Sequence, residues 1–123
     1  MKYQNIIDNM TLKEKAAFLS GKSEWQTRDF PRLDIPAIFC SDGPNGVRKQ
    51  AGAGDHLGIN PAVPATCFPT AATIANSWDP DLGEEIGKAL GEEAAAQDVN
   101  IVLGPGLNMK RSPLCGRNFE YFS

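Results

Sequence analysis

The chain has 123 residues, 41% of them hydrophobic, and its 15 Asp and Glu against 12 Lys and Arg leave a formal charge of −3. That length and apolar content fit one ordinary foldable unit with a core of its own. An acidic balance without any run of Lys or Arg argues against a surface built for a phosphate backbone or anionic lipid, so neither nucleic acid nor membrane is an expected partner.

The opening MKYQNIIDNMTLKEK mixes polar and apolar residues and never reaches the about 7 to 15 apolar positions of a secretory signal; no stretch is long enough to be a transmembrane span. Thr11-Leu12-Lys13-Glu14 reads as a capping box, in which the hydroxyl and the carboxylate each satisfy a backbone donor at a helix start. The predicted helix runs to about Ser20, with Leu12, Ala16 and Leu19 as its apolar stripe and Gly21 as a left-handed cap. Pro31 and Pro36 bracket an extended segment, after which Ala37-Ile38-Phe39-Cys40 reads as a strand buried on both faces.

SDGPNGVR, residues 41–48, follows that strand directly. From Arg48 to Pro64 the composition predicts a long surface connection. Asp79 then serves as N-cap and Pro80 as first residue of a second helix, with Leu82, Ile86, Ala89 and Leu90 facing inward and an end near Gln97. Val99 to Leu103 is another apolar run, closed by Gly104-Pro105-Gly106. Helix and buried strand in alternation predict the α/β class, a parallel sheet with helical crossovers.

In such sheets chemistry gathers beyond the C-terminal ends of the strands. Asp42 stands at one of those ends, in a turn tightened by Gly43, Pro44 and Gly46, and Arg48 returns toward it. A fixed carboxylate beside a guanidinium offers acceptors and donors to the vicinal hydroxyls of a sugar. The same two residues could instead brace their own loop, and on this stretch alone bracing is the favoured reading. Downstream, GRNFEYFS supplies Arg117, Asn118 and Glu120 between aromatic rings, a pattern that suits half-buried packing as well as a sugar face. Trp25, in GKSEWQT, reads as core more readily than as a wall of a sugar site.

Other chemistries find little support. LGPGLNM lacks the third glycine of a dinucleotide fingerprint, and Pro105 removes a backbone donor from a phosphate cradle, so no nucleotide cofactor is expected. His56 has no second ligand at metal spacing and reads as a loop residue, so no metal is expected. Cys40, Cys67 and Cys115 have no paired spacing and fit reduced thiols in a cytoplasmic protein.

Taken together, MTLKEKAAFLSGKSEWQT, SDGPNGVR, CFPTAATIANSWDPDLGEEIGKALGEEA and NIVLGPGLNMKRSPLCGRNFEYFS resemble the start of glycoside hydrolase family 3, especially its bacterial β-glucosidases. The resemblance covers nearly the whole chain. It implies that residues 1–123 are the N-terminal portion of a (β/α)8 barrel-type domain, which needs about 250 residues when complete. It also implies that Asp42, Arg48 and Arg117 contact hydroxyls of the non-reducing sugar in the −1 subsite.

The same resemblance implies retaining hydrolysis of terminal β-D-glucosyl residues from a β-glucoside or oligosaccharide. The nucleophilic aspartate and the acid/base glutamate would lie in further chain, so no catalytic residue is expected among these 123. The alternatives are a carbohydrate-binding or scaffold unit without hydrolysis of its own, and a β-xylosidase or other β-glycosidase of the same family. Oligomeric state is left open.

Overall fold

The computed structural model describes residues 2–52 and 59–123, so His56 lies outside the described residues. Among the described residues four α-helices and two strands follow in the order α1 (Gln4–Asn9), α2 (Leu12–Phe18), β1 (Cys40–Asp42), α3 (Ala71–Ser77), α4 (Pro80–Ala96) and β2 (Ile101–Leu103). β1 and β2 pair in parallel, Cys40 opposite Ile101, Ser41 opposite Val102 and Asp42 opposite Leu103. The α/β class with a parallel sheet is therefore as predicted. Among the described residues no helix is long and apolar enough to cross a membrane.

Local chemistry sets the helix ends. The Thr11 capping box forms in full, with the Thr11 amide donating to Glu14 Oε2 at 2.7 Å. Asp79 caps α4 through Oδ1, which accepts from the amides of Asp81 and Leu82. At the other end of α4, Asp98 takes a left-handed conformation with φ 56°, its amide donating to Ala95 and that of Val99 to Ala94. This paired closure of the last turn turns the chain straight into β2. Asn100 then fixes the register, because its Oδ1 accepts from the Phe39 amide while its own amide donates to the Phe39 carbonyl.

Four expectations need correction. The first strand begins at Cys40, not Ala37: residues ahead of it pair antiparallel with the 25–27 segment, Thr27 with Ile38 and Gln26 with Phe39, and are half-buried. Neither apolar run is covered on both faces, for Ile101 is 45% and Leu103 49% exposed. The stripe assigned to α2 also fails, with Leu12 83% and Leu19 89% exposed. What docks α2 is the face carrying Glu14 and Phe18, one helical turn apart, which meets Arg32 at 2.7 Å and the Phe30 ring at 6.1 Å. Gly21 is not a left-handed cap. The helix ends at Phe18 and Leu19 takes the C-cap position with a right-handed conformation.

The core sits where the turn after β1 meets α4 and β2. Val47, Ala94 and Val99 form its buried center, with Phe39, Leu90 and Val102 packed against them. The 42–48 turn is thus anchored by its own valine.

Candidate functional site

Beyond the C-terminal ends of β1 and β2 lies an open concavity of about 900 Å³. Its walls come from the 42–48 turn, the loop through Thr66, the Leu103–Gly106 exit of β2 and the returning segment that carries Arg117. Asp42, Arg48 and Arg117, the three residues singled out in the sequence, all line it.

The 42–48 turn is fixed by its backbone. The Arg48 amide donates to the Asp42 carbonyl at 2.8 Å, and Gly46 to Gly43 at 3.3 Å. Gly46 has φ 137°, and a Cβ there would lie 2.2 Å from the Thr66 carbonyl oxygen; at Gly43 it would lie 2.6 Å from the Gly46 carbonyl. Only Gly46 therefore uses the left-handed freedom of glycine, while Gly43 is required by close approach. The turn is braced by this backbone, and among the described residues the Asp42 carboxylate has no hydrogen-bond or ion-pair partner. Asp42 is half-buried and Arg48 exposed.

Arg117 reaches the cavity by a second route. Gly106 pairs with Tyr121, the Phe122 amide donates to the Gly106 carbonyl at 3.0 Å, and the Lys110 amide to the Ser123 carbonyl at 3.1 Å. This pairing folds the 3₁₀ turn Asn118–Glu120 back beside the exit of β2. Arg117 Nε is ion-paired with Glu120 Oε1. The pairing, reinforced by the phenolic group of Tyr121 and the charge of Asp42, raises the guanidinium pKa above its ordinary value. The arginine side chain remains 74% exposed, whereas that of Glu120 is 14% exposed. Glu120 therefore acts as the half-buried acceptor that holds Arg117 Nε at the rim.

The sequence reading missed Glu120's pairing role and the Thr66 loop, whose residues bear no recognisable spacing to the SDGPNGVR turn. Trp25 is not part of the lining. Its indole Nε1 donates to Gln50 Oε1 at 3.2 Å beside the first strand, a packing role. Among the described residues no cluster of three metal-ligating side chains occurs.

The family model described as "Glycosyl hydrolase family 3 N terminal domain" matches residues 6–123. Thermostable beta-glucosidase B of Acetivibrio thermocellus is 58% identical over 120 residues, 98% of this chain and 16% of that protein. An exo-alpha-(1->6)-L-arabinopyranosidase of Bifidobacterium longum is 42% identical over 118 residues, 95% of this chain and again 16% of the relative. The crystal structure of a beta-glucosidase from Kluyveromyces marxianus in complex with glucose superposes with a TM-score of 0.87 at 38% identity, over 98% of this chain and 14% of that one. The chain thus spans about one sixth of the length of the curated relatives it matches. An α/β architecture with its cavity beyond the strand ends and a family match over nearly every residue lead to one assignment: the chain belongs to glycosyl hydrolase family 3, as an N-terminal portion of that family's TIM-barrel-type domain.

Proposed function

We propose that this chain supplies the sugar-gripping wall of an exo-acting, retaining β-glucosidase. Residues 1–123 form one part of the barrel-type domain, and the two catalytic carboxylates come from the remainder of a longer polypeptide. The observation that carries this reading is the shared cavity: one acceptor, Asp42, and two guanidinium groups, Arg48 and Arg117, border the same space beyond the strand ends. The free thiols of Cys40, Cys67 and Cys115 favour a cytoplasmic setting.

In this mechanism Asp42 accepts hydrogen bonds from hydroxyls of the terminal glucosyl ring while Arg48 and Arg117 donate to others. One carboxylate elsewhere in the polypeptide attacks the anomeric carbon as a protonated carboxyl gives its proton to the departing oxygen. Water then cleaves the glycosyl-enzyme with the second group acting as base. The three residues of this chain contribute by orientation, because contacts to the ring hydroxyls tighten as the ring flattens toward the oxocarbenium-like transition state.

A second reading is favoured by the relative named as an arabinopyranosidase, which is 42% identical over 118 residues. There the terminal sugar is a pentopyranose, without the exocyclic carbon of glucose. Hydrolysis of aryl β-D-glucoside, β-D-xyloside and α-L-arabinopyranoside by the full-length polypeptide separates the two. The glucosidase reading expects the glucoside to have the highest kcat/KM. A higher value for either pentoside replaces it with the second, and no turnover of any of the three rejects both.

A further inference from the structure

We infer that Glu93, in the last turn of α4 and absent from the cavity lining, is a positioning residue for the sugar-gripping turn, an inference that rests on the hydrolase reading above. Its carboxylate Oε1 accepts from both the amide and the hydroxyl of Thr66, at 2.9 and 3.2 Å. Thr66 is the residue whose carbonyl is packed so closely against Gly46 that no Cβ fits between them. A neighbouring tie binds the same pieces, with the Phe68 amide donating to the Asn45 carbonyl at 2.9 Å. The path from α4 to the turn therefore runs Glu93, Thr66, Gly46, and ends at Asp42 and Arg48 on either side.

A second tie comes from one helical turn further along. Gln97 Nε2 donates to the Pro64 carbonyl at 3.4 Å, and the Gln97 carbonyl accepts from Lys49 Nζ at the end of the turn. α4 thus holds the Thr66 loop by two side chains spaced four residues apart, the spacing that puts both on one face. A carboxylate spent on one threonine is a costly way to close a surface loop, since Glu93 Oε2 is buried with no hydrogen-bond partner among the described residues. The cost is understandable where the loop must stand at a fixed height behind a binding turn, because misplacement of about 1 Å at such a site lowers turnover by about 100-fold.

The test uses the full-length polypeptide and two readouts. With aryl β-D-glucoside, Glu93→Ala is expected to lower kcat/KM by about 10- to 100-fold. Glu93→Gln, whose amide oxygen still accepts from Thr66, restores most of that loss. Thr66→Val removes only the hydroxyl, so its loss is smaller and is not added to that of Glu93→Ala in the double variant. Independently of any substrate, amide hydrogen exchange at Arg48, whose N–H bonds to Asp42, should accelerate at least about tenfold in Glu93→Ala relative to amides of α2. Unchanged Arg48 exchange together with wild-type kcat/KM in Glu93→Ala overturns the inference, as does a Glu93→Gln variant no better than Glu93→Ala in exchange. If Glu93→Ala does not fold, Glu93→Gln and Thr66→Val carry the same comparison. An inactive wild-type protein whose Arg48 exchange still responds to Glu93→Ala rejects the hydrolase reading while leaving the positioning role standing.

Discussion

The two walls of the cavity are built differently. The 41–50 turn is fastened into the core: Ser41, Gly43, Val47 and Gln50 are buried, its backbone is hydrogen-bonded across the turn, and Val47 belongs to the central apolar cluster. The 104–123 return is held chiefly by the pairing of Gly106 with Tyr121 and by hydrogen bonds within itself, and leaves Leu107, Leu114 and Phe119 at 73%, 92% and 66% exposure. One charged group is therefore preorganised by packing and the other by a local ion pair. A site assembled this way has a rigid wall that fixes a carboxylate and a more compliant wall that brings up a guanidinium.

The sharpest way to break this contrast is to add one methyl group to each wall. At Gly46 it enters a left-handed conformation and lies 2.2 Å from Thr66, so Gly46→Ala should destabilise the fold by about 4 kcal/mol in urea unfolding. A cost below about 1 kcal/mol would mean that the turn relaxes and is not rigid. Next in size is the functional contrast. In the full-length polypeptide Asp42→Ala should remove about 2 to 4 kcal/mol of transition-state stabilisation, read as kcat/KM on an aryl β-D-glucoside, and an unchanged value would remove Asp42 from the site.

Acid titration sharpens the comparison by elimination. Glu14 is held at a pKa of about 2, below its ordinary 4.5, chiefly by the Arg32 hydrogen bond and then by the Thr11 amide. A carboxyl depressed on folding stabilises the folded state above its unfolded pKa, and that contribution is lost as pH falls from about 4.5 toward about 2. The α2 end should therefore loosen over that window in an NMR titration, and Glu14→Gln should abolish the effect there. The smallest expected effect is at the compliant wall. A Cβ at Gly116 meets nothing within 4 Å, so Gly116→Ala should change unfolding stability by less than about 0.5 kcal/mol. A large cost would show this wall to be as tightly packed as the other.

Much of this arrangement was legible where one residue type has one local task. The Thr11 box and the Asp79 cap form as their spacing predicts, because capping needs only neighbours in sequence. Asp42 and Arg48 stood out through their turn, where bracing was the favoured reading, and their grouping with Arg117 came from the family resemblance; the fold brings all three to one cavity. Elements decided by tertiary contact were misread or missed. α3, although Thr70 caps it by accepting from the Thr73 amide, is two turns long and left no periodicity strong enough to announce it. The start of β1 moved to Cys40 because residues ahead of it pair with the 25–27 segment, a partner invisible in the run itself. Likewise the demand for glycine at position 46 comes from the Thr66 carbonyl, 20 residues away, and Thr66 is placed by Glu93, a further 27 residues on.

The central claim, that the two walls close on a single pyranose, is tested most directly by a crystal structure of the full-length polypeptide with glucose bound. The account predicts one ring in the cavity, its hydroxyls within hydrogen-bond distance of the Asp42 carboxylate and of the Arg48 and Arg117 guanidinium groups. A sugar held elsewhere, or one touching a single wall while Arg117 stays turned toward Glu120, would contradict it.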